Sequence, residues 1–194
     1  MSEPVFARRR LLTAAIAALL AGCSVLPGKA PEKPPAVPMA PVAAKAKIGF
    51  ALGGGAARGF AHIGVIKMLE AQGIVADYVA GTSAGAVVGS LYAGGYDAFA
   101  MQKIAVQLDE KIFADWTLGG RGLLKGEALK DFINQHLNKR PLERLNKPFA
   151  TVATDLNSGE RVVFRTGDTG MAVRASAAVP GVFQPTQFRG SEEH

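Results

Sequence analysis

Two glycine-bracketed turns, one predicted helix apart, carry the residue types of acyl-transfer chemistry. The second turn, Gly81-Thr82-Ser83-Ala84-Gly85, has the Gly-x-Ser-x-Gly spacing of a nucleophile elbow. In an elbow the serine sits on a tight strand-to-helix turn, where small flanking residues leave room for the bend and for the substrate. Ser83 is therefore the candidate nucleophile, and Gly81 and Gly85 are the flanking glycines of its turn.

The first turn, which runs Gly-Gly-Gly-Ala-Ala-Arg-Gly, is a candidate oxyanion loop. Glycines before a helix can direct several backbone N–H groups toward an anion. A serine nucleophile needs such donors, because its attack creates an oxyanion. The candidate residues of this loop are Gly53, Gly54, Gly55, Arg58 and Gly59.

Each turn also has a simpler interpretation. Ser83 taken alone would be an ordinary helix N-cap. The glycine loop taken alone could bind a dinucleotide, but that site requires Gly-x-Gly-x-x-Gly, and Arg58 stands at the sixth position from Gly53. Asp77 would be the acidic residue of such a site, although it stands at the start of the next predicted strand. A nucleotide-binding α/β domain is kept as an alternative.

Apolar runs and glycines predict the elements that position both turns. The predicted strands are residues 48–52 and 75–80, and the predicted helices are residues 60–71, 84–92, 98–108 and 127–137. Strand, helix, strand and helix in this order predict a parallel sheet with right-handed crossovers. Both turns then follow the carboxyl ends of strands, where open α/β sheets bind ligands.

The first 46 residues predict a signal peptide, an anchor and a tether. Behind Arg8-Arg9-Arg10 lies an apolar run, residues 11–21, that is shorter than the roughly 20 residues of a membrane-spanning helix. It ends at Leu20-Ala21-Gly22-Cys23, which resembles a bacterial lipobox, so we expect cleavage before Cys23 and lipidation of that residue. The alternatives are an ordinary secretory signal and a buried helix with an incidental cysteine. The predicted domains are residues 1–22 (signal peptide), 23–46 (lipidated cysteine and proline-rich tether) and 47–194 (folded domain).

Composition and residue spacing argue against a nucleic-acid partner, an internal disulfide and a metal or other cofactor. Six of the 22 basic and two of the 16 acidic residues lie in residues 1–46, so most of the net charge of +6 belongs to the predicted leader and tether. No basic stripe with interleaved aromatic residues follows, so no nucleic-acid partner is expected. Cys23 is the only cysteine, which excludes an internal disulfide. No His, Cys or carboxylate cluster has ligand spacing, so no metal or other cofactor is expected.

The two turns and their surroundings resemble the patatin-like phospholipases, above all their bacterial members. The resemblance rests on residues 51–65 and 81–85, on Ala153-Thr154-Asp155-Leu156 with Gly159-Glu160, and on residues 175–183, and it covers about residues 47–183. It implies an α/β fold with three layers, a mostly parallel sheet flanked by helices, whose C-terminal part is missing. It also implies a lipid acyl hydrolase that uses a Ser–Asp dyad, with Ser83 as nucleophile and Arg58 at the basic position of the oxyanion loop.

The catalytic aspartate implied by the resemblance has no counterpart in the chain. It should stand in an Asp-Gly-Gly or Asp-Gly-Ala motif shortly after residues 179–188, and neither motif occurs. Asp155 is the best substitute, although an acid that caps a turn or a strand end is the simpler interpretation. Asp168 is expected in a loop before a helix around Met171. We therefore expect the domain to be incomplete at its C-terminus and inactive or nearly so.

The three histidines are not expected to be catalytic, which agrees with a dyad. His62 is expected to be a packed or capping residue, His136 a surface residue, and His194 is the last residue of the chain. Trp116 with Gly119-Gly120-Arg121-Gly122 predicts a surface loop near the site, or a simple connector.

The predicted function is thus a membrane-anchored lipid acyl hydrolase of phospholipase or lysophospholipase type. The expected partners are a membrane phospholipid or another acyl ester, and the membrane itself through Cys23. Ser24 after the cysteine favours the periplasmic face of the outer membrane over the inner membrane of a bacterial envelope. A non-catalytic, lipid-binding envelope lipoprotein that keeps the fold is the main alternative.

Overall fold

The computed structural model of the chain describes residues 46–108 and 124–188. The predicted signal peptide, Cys23, nearly all of the tether, the Trp116 segment with its glycines, and His194 lie outside these ranges.

Four strands and five helices form the described part of the chain. The strands are β1 (Gly49–Leu52), β2 (Tyr78–Gly81), β3 (Phe149–Thr154) and β4 (Arg161–Phe164). The helices are α1 (Phe60–Ala71), α2 (Ala84–Ala93), α3 (Ala98–Val106), α4 (Glu127–His136) and α5 (Thr169–Ala177). Short 3-10 turns lie at Ala56–Gly59 and Leu142–Arg144.

The strands form one mixed sheet in the order β1-β2-β3-β4. The first three strands are parallel, and β4 pairs with β3 in the antiparallel direction. The predicted α/β fold, a mostly parallel sheet flanked by helices, is confirmed. The parallel register aligns Leu52 with Gly81, so the glycine loop and the serine turn leave the sheet side by side.

The ends of the predicted helices are confirmed to within two residues, and α1 ends shortly before Gly73, the glycine that predicts its end. Gly73 has φ +72°, and the N–H of Ile74 bonds to the carbonyl of Leu69, as at a glycine-terminated helix. Strand β2 begins three residues later than the predicted residue 75. The difference arises because pairing with β1 begins at Tyr78, and Asp77 turns its carboxylate onto the Ile48 N–H at 2.8 Å.

The core is built from the strands and from buried apolar residues of all five helices. Helix α2 approaches β3 so closely that a Cβ on Gly89 would lie 3.0 Å from the Phe149 ring. The opposite face of the sheet carries an open groove of about 600 Å³, with Tyr78, Ala80 and Ala150 among its lining residues. Within the described residues no helix has the length and hydropathy that a membrane span requires.

Candidate active site

Ser83, between β2 and α2, has an unusual backbone conformation. Its φ is 53° and its ψ is −120°, outside the helical and extended regions, and its side chain makes no capping hydrogen bond. A residue held in such a region costs about 1–3 kcal/mol, which the surroundings must supply. Ser83 thus stands at the N-cap position of α2, as the simpler interpretation expects, but its side chain does not cap the helix. Its strained backbone, directly after a strand and before a helix, is the geometry that a nucleophile elbow requires.

The flanking glycines are required by backbone contacts within the elbow. A Cβ on Gly81 would overlap the Gly85 carbonyl oxygen and lie 2.7 Å from the Ala86 nitrogen. A Cβ on Gly85 would overlap the Leu52 carbonyl oxygen and lie 2.6 Å from the carbonyl oxygen of Gly53. The small residues thus allow the elbow to pack on itself and on the end of β1.

The glycine loop lies beside Ser83, as its position after β1 predicts. A Cβ on Gly54 would come 3.4 Å from the Ser83 Cβ and 4.0 Å from its Oγ. Gly55 has φ +152°, and Gly59 is buried against Ala84. Within the described residues the N–H groups of Gly54 and Gly55 donate no hydrogen bond. Exposed donors next to a serine hydroxyl are what an oxyanion site requires.

Arg58 lies in the 3-10 turn that follows the three glycines, and its side chain is exposed. Among the residues that the structure describes, this guanidinium has no hydrogen bond or ion pair. It is therefore a free positive charge on the candidate oxyanion loop.

The two described histidines hydrogen-bond to main-chain carbonyl groups, and neither bonds to Ser83. The His62 Nε2–H donates to the carbonyl of Gly53 at 2.8 Å, which ties α1 to the glycine loop. His136 was expected at the surface, and that is wrong: it is half-buried, with its ring 4.3 Å from that of Phe132 and 6.1 Å from that of Tyr96. Its Nδ1 bonds to the Phe132 carbonyl at 2.9 Å, so it belongs to the packing of α4.

Asp155 and Asp168 both have structural partners. The Asp155 Oδ1 accepts the N–H groups of Asn157 and Ser158 at 2.9 and 2.8 Å, which is the turn-capping role that was the simpler interpretation. Asp168 caps α5 by accepting the Met171 N–H at 2.6 Å. Within residues 46–108 and 124–188, no carboxylate hydrogen-bonds to the Ser83 hydroxyl.

Asp77 lies at the wrong end of β2 for the nucleotide-binding alternative. Its main-chain N–H donates to the Ile48 carbonyl at 2.7 Å, and its carboxylate pairs with Lys47 at 3.2 Å. The residue that holds a ribose in a dinucleotide fold would instead stand near the carboxyl end of the strand. This placement argues against nucleotide binding.

Ser176 is a site residue that the sequence did not single out. Its Oγ accepts the N–H of Ser83 at 2.9 Å and donates to the carbonyl of Val152 at 2.6 Å. The residue lies on α5, 93 positions from Ser83. Its only signal in the sequence is its place in the segment 175–183, which carries part of the family resemblance.

The groups with shifted pKa values lie in helix packing. Burial raises the pKa of the Tyr92 phenol, which stacks on Phe50 at the other end of α2 from Ser83. The hydrogen bond to Glu127 raises the pKa of Lys130. Both groups keep their usual charge at neutral pH. The described ranges contain no group of three His, Cys, Asp or Glu residues that could hold a metal ion.

Comparisons with known proteins agree on one family. The family model for patatin-like phospholipases matches residues 50–192. An uncharacterized NTE family protein of Mycobacterium tuberculosis is 39% identical over 146 residues, covering 74% of this chain and 41% of that protein. Patatin-like phospholipase domain-containing protein 6 of Mus musculus is 33% identical over 144 residues, covering 71% of this chain and 11% of that protein.

Solved structures share the fold at low sequence identity. VipD of Legionella pneumophila superposes with a TM-score of 0.59 at 17% identity, covering 76% of this chain and 45% of that chain. ExoU of Pseudomonas aeruginosa, in its complex with SpcU, gives a TM-score of 0.53 at 19% identity, covering 70% of this chain and 37% of that one. The chain spans 41% of the mycobacterial relative's length. The family match, covering most of the chain, places it among the patatin-like phospholipases: this chain belongs to that family.

Proposed function

We propose that this chain carries the nucleophile and the oxyanion loop of a lipid acyl hydrolase, with Ser83 as the attacking group. Its membership of the patatin-like phospholipases supports lipid acyl hydrolysis in general. The observation that carries the finer assignment is the position of Gly54, whose added Cβ would lie 4.0 Å from the Ser83 Oγ. The strained Ser83 thus lies next to a glycine loop whose amides are exposed.

In the proposed reaction the Ser83 Oγ attacks the carbonyl carbon of a lipid ester, and the alcohol portion leaves. The amides of Gly54 and Gly55 stabilise the tetrahedral oxyanion, and each such donor is worth roughly 100–1000-fold in rate. Water then hydrolyses the acyl-enzyme and regenerates the serine. The proton of the Ser83 hydroxyl passes to a carboxylate, which in the Ser–Asp dyad is an aspartate, and from there to the oxygen of the departing alcohol.

We propose that the 194-residue chain by itself does not complete this reaction. Neither Asp-Gly-Gly nor Asp-Gly-Ala occurs in it. Asp155 and Asp168 are engaged by backbone N–H groups. A serine hydroxyl without an adjacent base is a weak nucleophile at neutral pH.

A fluorophosphonate probe tests both the role of Ser83 as nucleophile and the inactivity of the 194-residue chain. The purified chain is expected to label at Ser83 no more than its Ser83→Ala variant, measured by fluorescence in gel and by mass spectrometry of the peptide. Strong labelling at Ser83 would show that another base acts, and would refute the inactivity. A chain extended past His194 with the Asp-Gly segment of a patatin-like phospholipase is expected to label at Ser83. A folded extended chain that stays unlabelled would refute Ser83 as the nucleophile.

A lipid-binding role without turnover is the second candidate, favoured by the lack of any carboxylate bonded to the Ser83 hydroxyl in the described residues. Sedimentation with phospholipid vesicles separates the two roles. Binding that is equal in the native chain and in Ser83→Ala, together with an unlabelled extended chain, would favour the binding role.

We also propose that Cys23 is lipidated and holds the protein on the envelope membrane, on the periplasmic side of the outer membrane in a cell that has one. The support is the lipobox-like sequence and the proline-rich spacer that follows it. Two or more acyl chains suffice for stable anchoring. Cys23→Ser is expected to abolish incorporation of a clickable fatty acid and to release the protein from the membrane fraction. Unchanged partition of that variant would refute the anchor.

A further inference from the structure

Beyond the last paired residues of β2 and β3, the next hydrogen bond of the ladder is not made between the two backbones. Val79 pairs with Phe149 and Gly81 with Thr151, and the Val79 N–H donates to the carbonyl of Pro148 at 3.0 Å. Parallel ladders space these bonds evenly, with a repeat of two residues. Continued by four residues, the same register would bring the N–H of Ser83 to the carbonyl of Val152.

A side-chain hydroxyl occupies that position instead. The Ser83 N–H donates to the Ser176 Oγ at 2.9 Å, and that hydroxyl donates to the Val152 carbonyl at 2.6 Å. Both distances are normal for hydrogen bonds of these types. A hydroxyl can do this because it is both a donor and an acceptor. Alanine could fill neither role.

We infer that Ser176 is a positioning residue for the nucleophile, an inference that rests on the proposed role of Ser83. One hydroxyl inserted into the ladder lets the chain leave the sheet at the elbow, while the amide of Ser83 and the carbonyl of Val152 both stay satisfied. The same two bonds tie α5, β3 and the elbow together. They hold Ser83 at its unusual φ of 53°.

The bridge also decides which amides can serve the oxyanion. Because its amide is bonded to Ser176, Ser83 does not contribute its own N–H. The donors must therefore come from elsewhere, and the exposed Gly54 lies beside the hydroxyl, since its added Cβ would be 4.0 Å from the Ser83 Oγ. Ser176 thus separates the group that attacks from the groups that stabilise the developing charge.

Amide hydrogen exchange, followed residue by residue by NMR on the 194-residue chain, tests this inference without any need for catalysis. Ser176→Ala is expected to raise the exchange rate of the Ser83 amide about tenfold or more. Ser176→Thr, which keeps the hydroxyl, is expected to restore the protection. The matched control is Ser90→Ala, since Ser90 is buried and, among the described residues, its hydroxyl bonds only to the Val87 carbonyl of its own helix, at 2.9 Å.

A purely structural role for Ser176 would accelerate the exchange of core amides throughout α5 and β3 alike, without singling out Ser83. That outcome, or equal protection of the Ser83 amide in Ser176→Ala and Ser90→Ala, would overturn the inference. If Ser176→Ala does not fold, Ser176→Cys replaces it, because a thiol is a weaker donor and acceptor than a hydroxyl.

The extended chain described above gives the second readout. There Ser176→Ala is expected to slow fluorophosphonate labelling roughly 100-fold, since a small misplacement of a reacting group has that effect, and Ser176→Thr to recover most of the rate. Unchanged labelling in Ser176→Ala would contradict the inference. An unlabelled extended chain with a protected Ser83 amide would instead refute the proposed function and leave the bridge standing.

Discussion

Gly85→Ala is expected to lower the free energy of unfolding by about 3 kcal/mol or more, at the upper end of what overpacking costs. The added methyl would overlap the carbonyl oxygen of Leu52 and lie 2.6 Å from that of Gly53. Both neighbours are backbone atoms, which cannot rotate away as the end of a long side chain can. The elbow or the end of β1 must therefore move, and urea denaturation followed by circular dichroism will measure the cost.

Gly64→Ala is the matched control, because it places the same methyl in a helix. A Cβ on Gly64 meets no atom within 4 Å, and the residue lies inside α1. Replacing a helical glycine by alanine there is expected to stabilise the protein by about 0.5–1 kcal/mol. Equal effects of the two substitutions would show that the elbow is loosely packed and would refute the reason given for Gly85.

The glycines of this chain made much of the fold predictable. Runs of apolar residues bounded by Gly53, Gly73 and Gly94 correctly predict β1, α1 and α2, since each boundary falls where a glycine ends or turns the backbone. The side-by-side placement of the two turns was also predictable, because parallel strands present their carboxyl ends at one edge of the sheet.

What the sequence could not predict depends on contacts between distant residues. Strand β2 begins at Tyr78 because its neighbour β1 begins at Gly49, and a single strand contains no record of its partner's limits. The bridge at Ser176 joins residues 93 positions apart. A serine that donates and accepts across such a separation has the same sequence signature as any serine near the end of a helix.

The polar stretch of α4 is a second case in which the sequence does not predict the contacts. The stretch around Asn134 and His136 is polar in sequence, yet Asn134 is 8% exposed and His136 packs on two aromatic rings. Asn134 bonds to Asp168 and Gly170 at the start of α5, whereas His136 bonds to the Phe132 carbonyl of its own helix. The burial of Asn134 therefore depends on the packing of α5 against α4, which neither segment reveals alone.

Replacing Asn134 is therefore expected to have the second large effect on the free energy of unfolding. Its Oδ1 accepts the buried N–H of Gly170 at 3.0 Å, and its Nδ2 donates to both oxygens of Asp168, at 3.1 and 2.9 Å. Asn134→Leu leaves the Gly170 N–H buried without a partner and removes a charge-assisted bond. We expect it to lower the free energy of unfolding by about 2–4 kcal/mol. Gln135→Leu, at an exposed position of the same helix, is expected to change it by about 0.5 kcal/mol or less.

A double-mutant cycle with Asp168→Ala shows whether the two side chains act as one unit. Asp168 caps the helix that carries Ser176, so Asn134 holds α5 through its cap and its first turn at once. The coupling energy is expected to be about 0.5–3 kcal/mol, as for groups in one hydrogen-bond network. Additive effects within the error of urea denaturation would contradict this. If the network places α5, Asn134→Leu should also weaken exchange protection at the Ser83 amide under conditions where the variant is still folded, because the Ser176 bridge can form only where α5 is held.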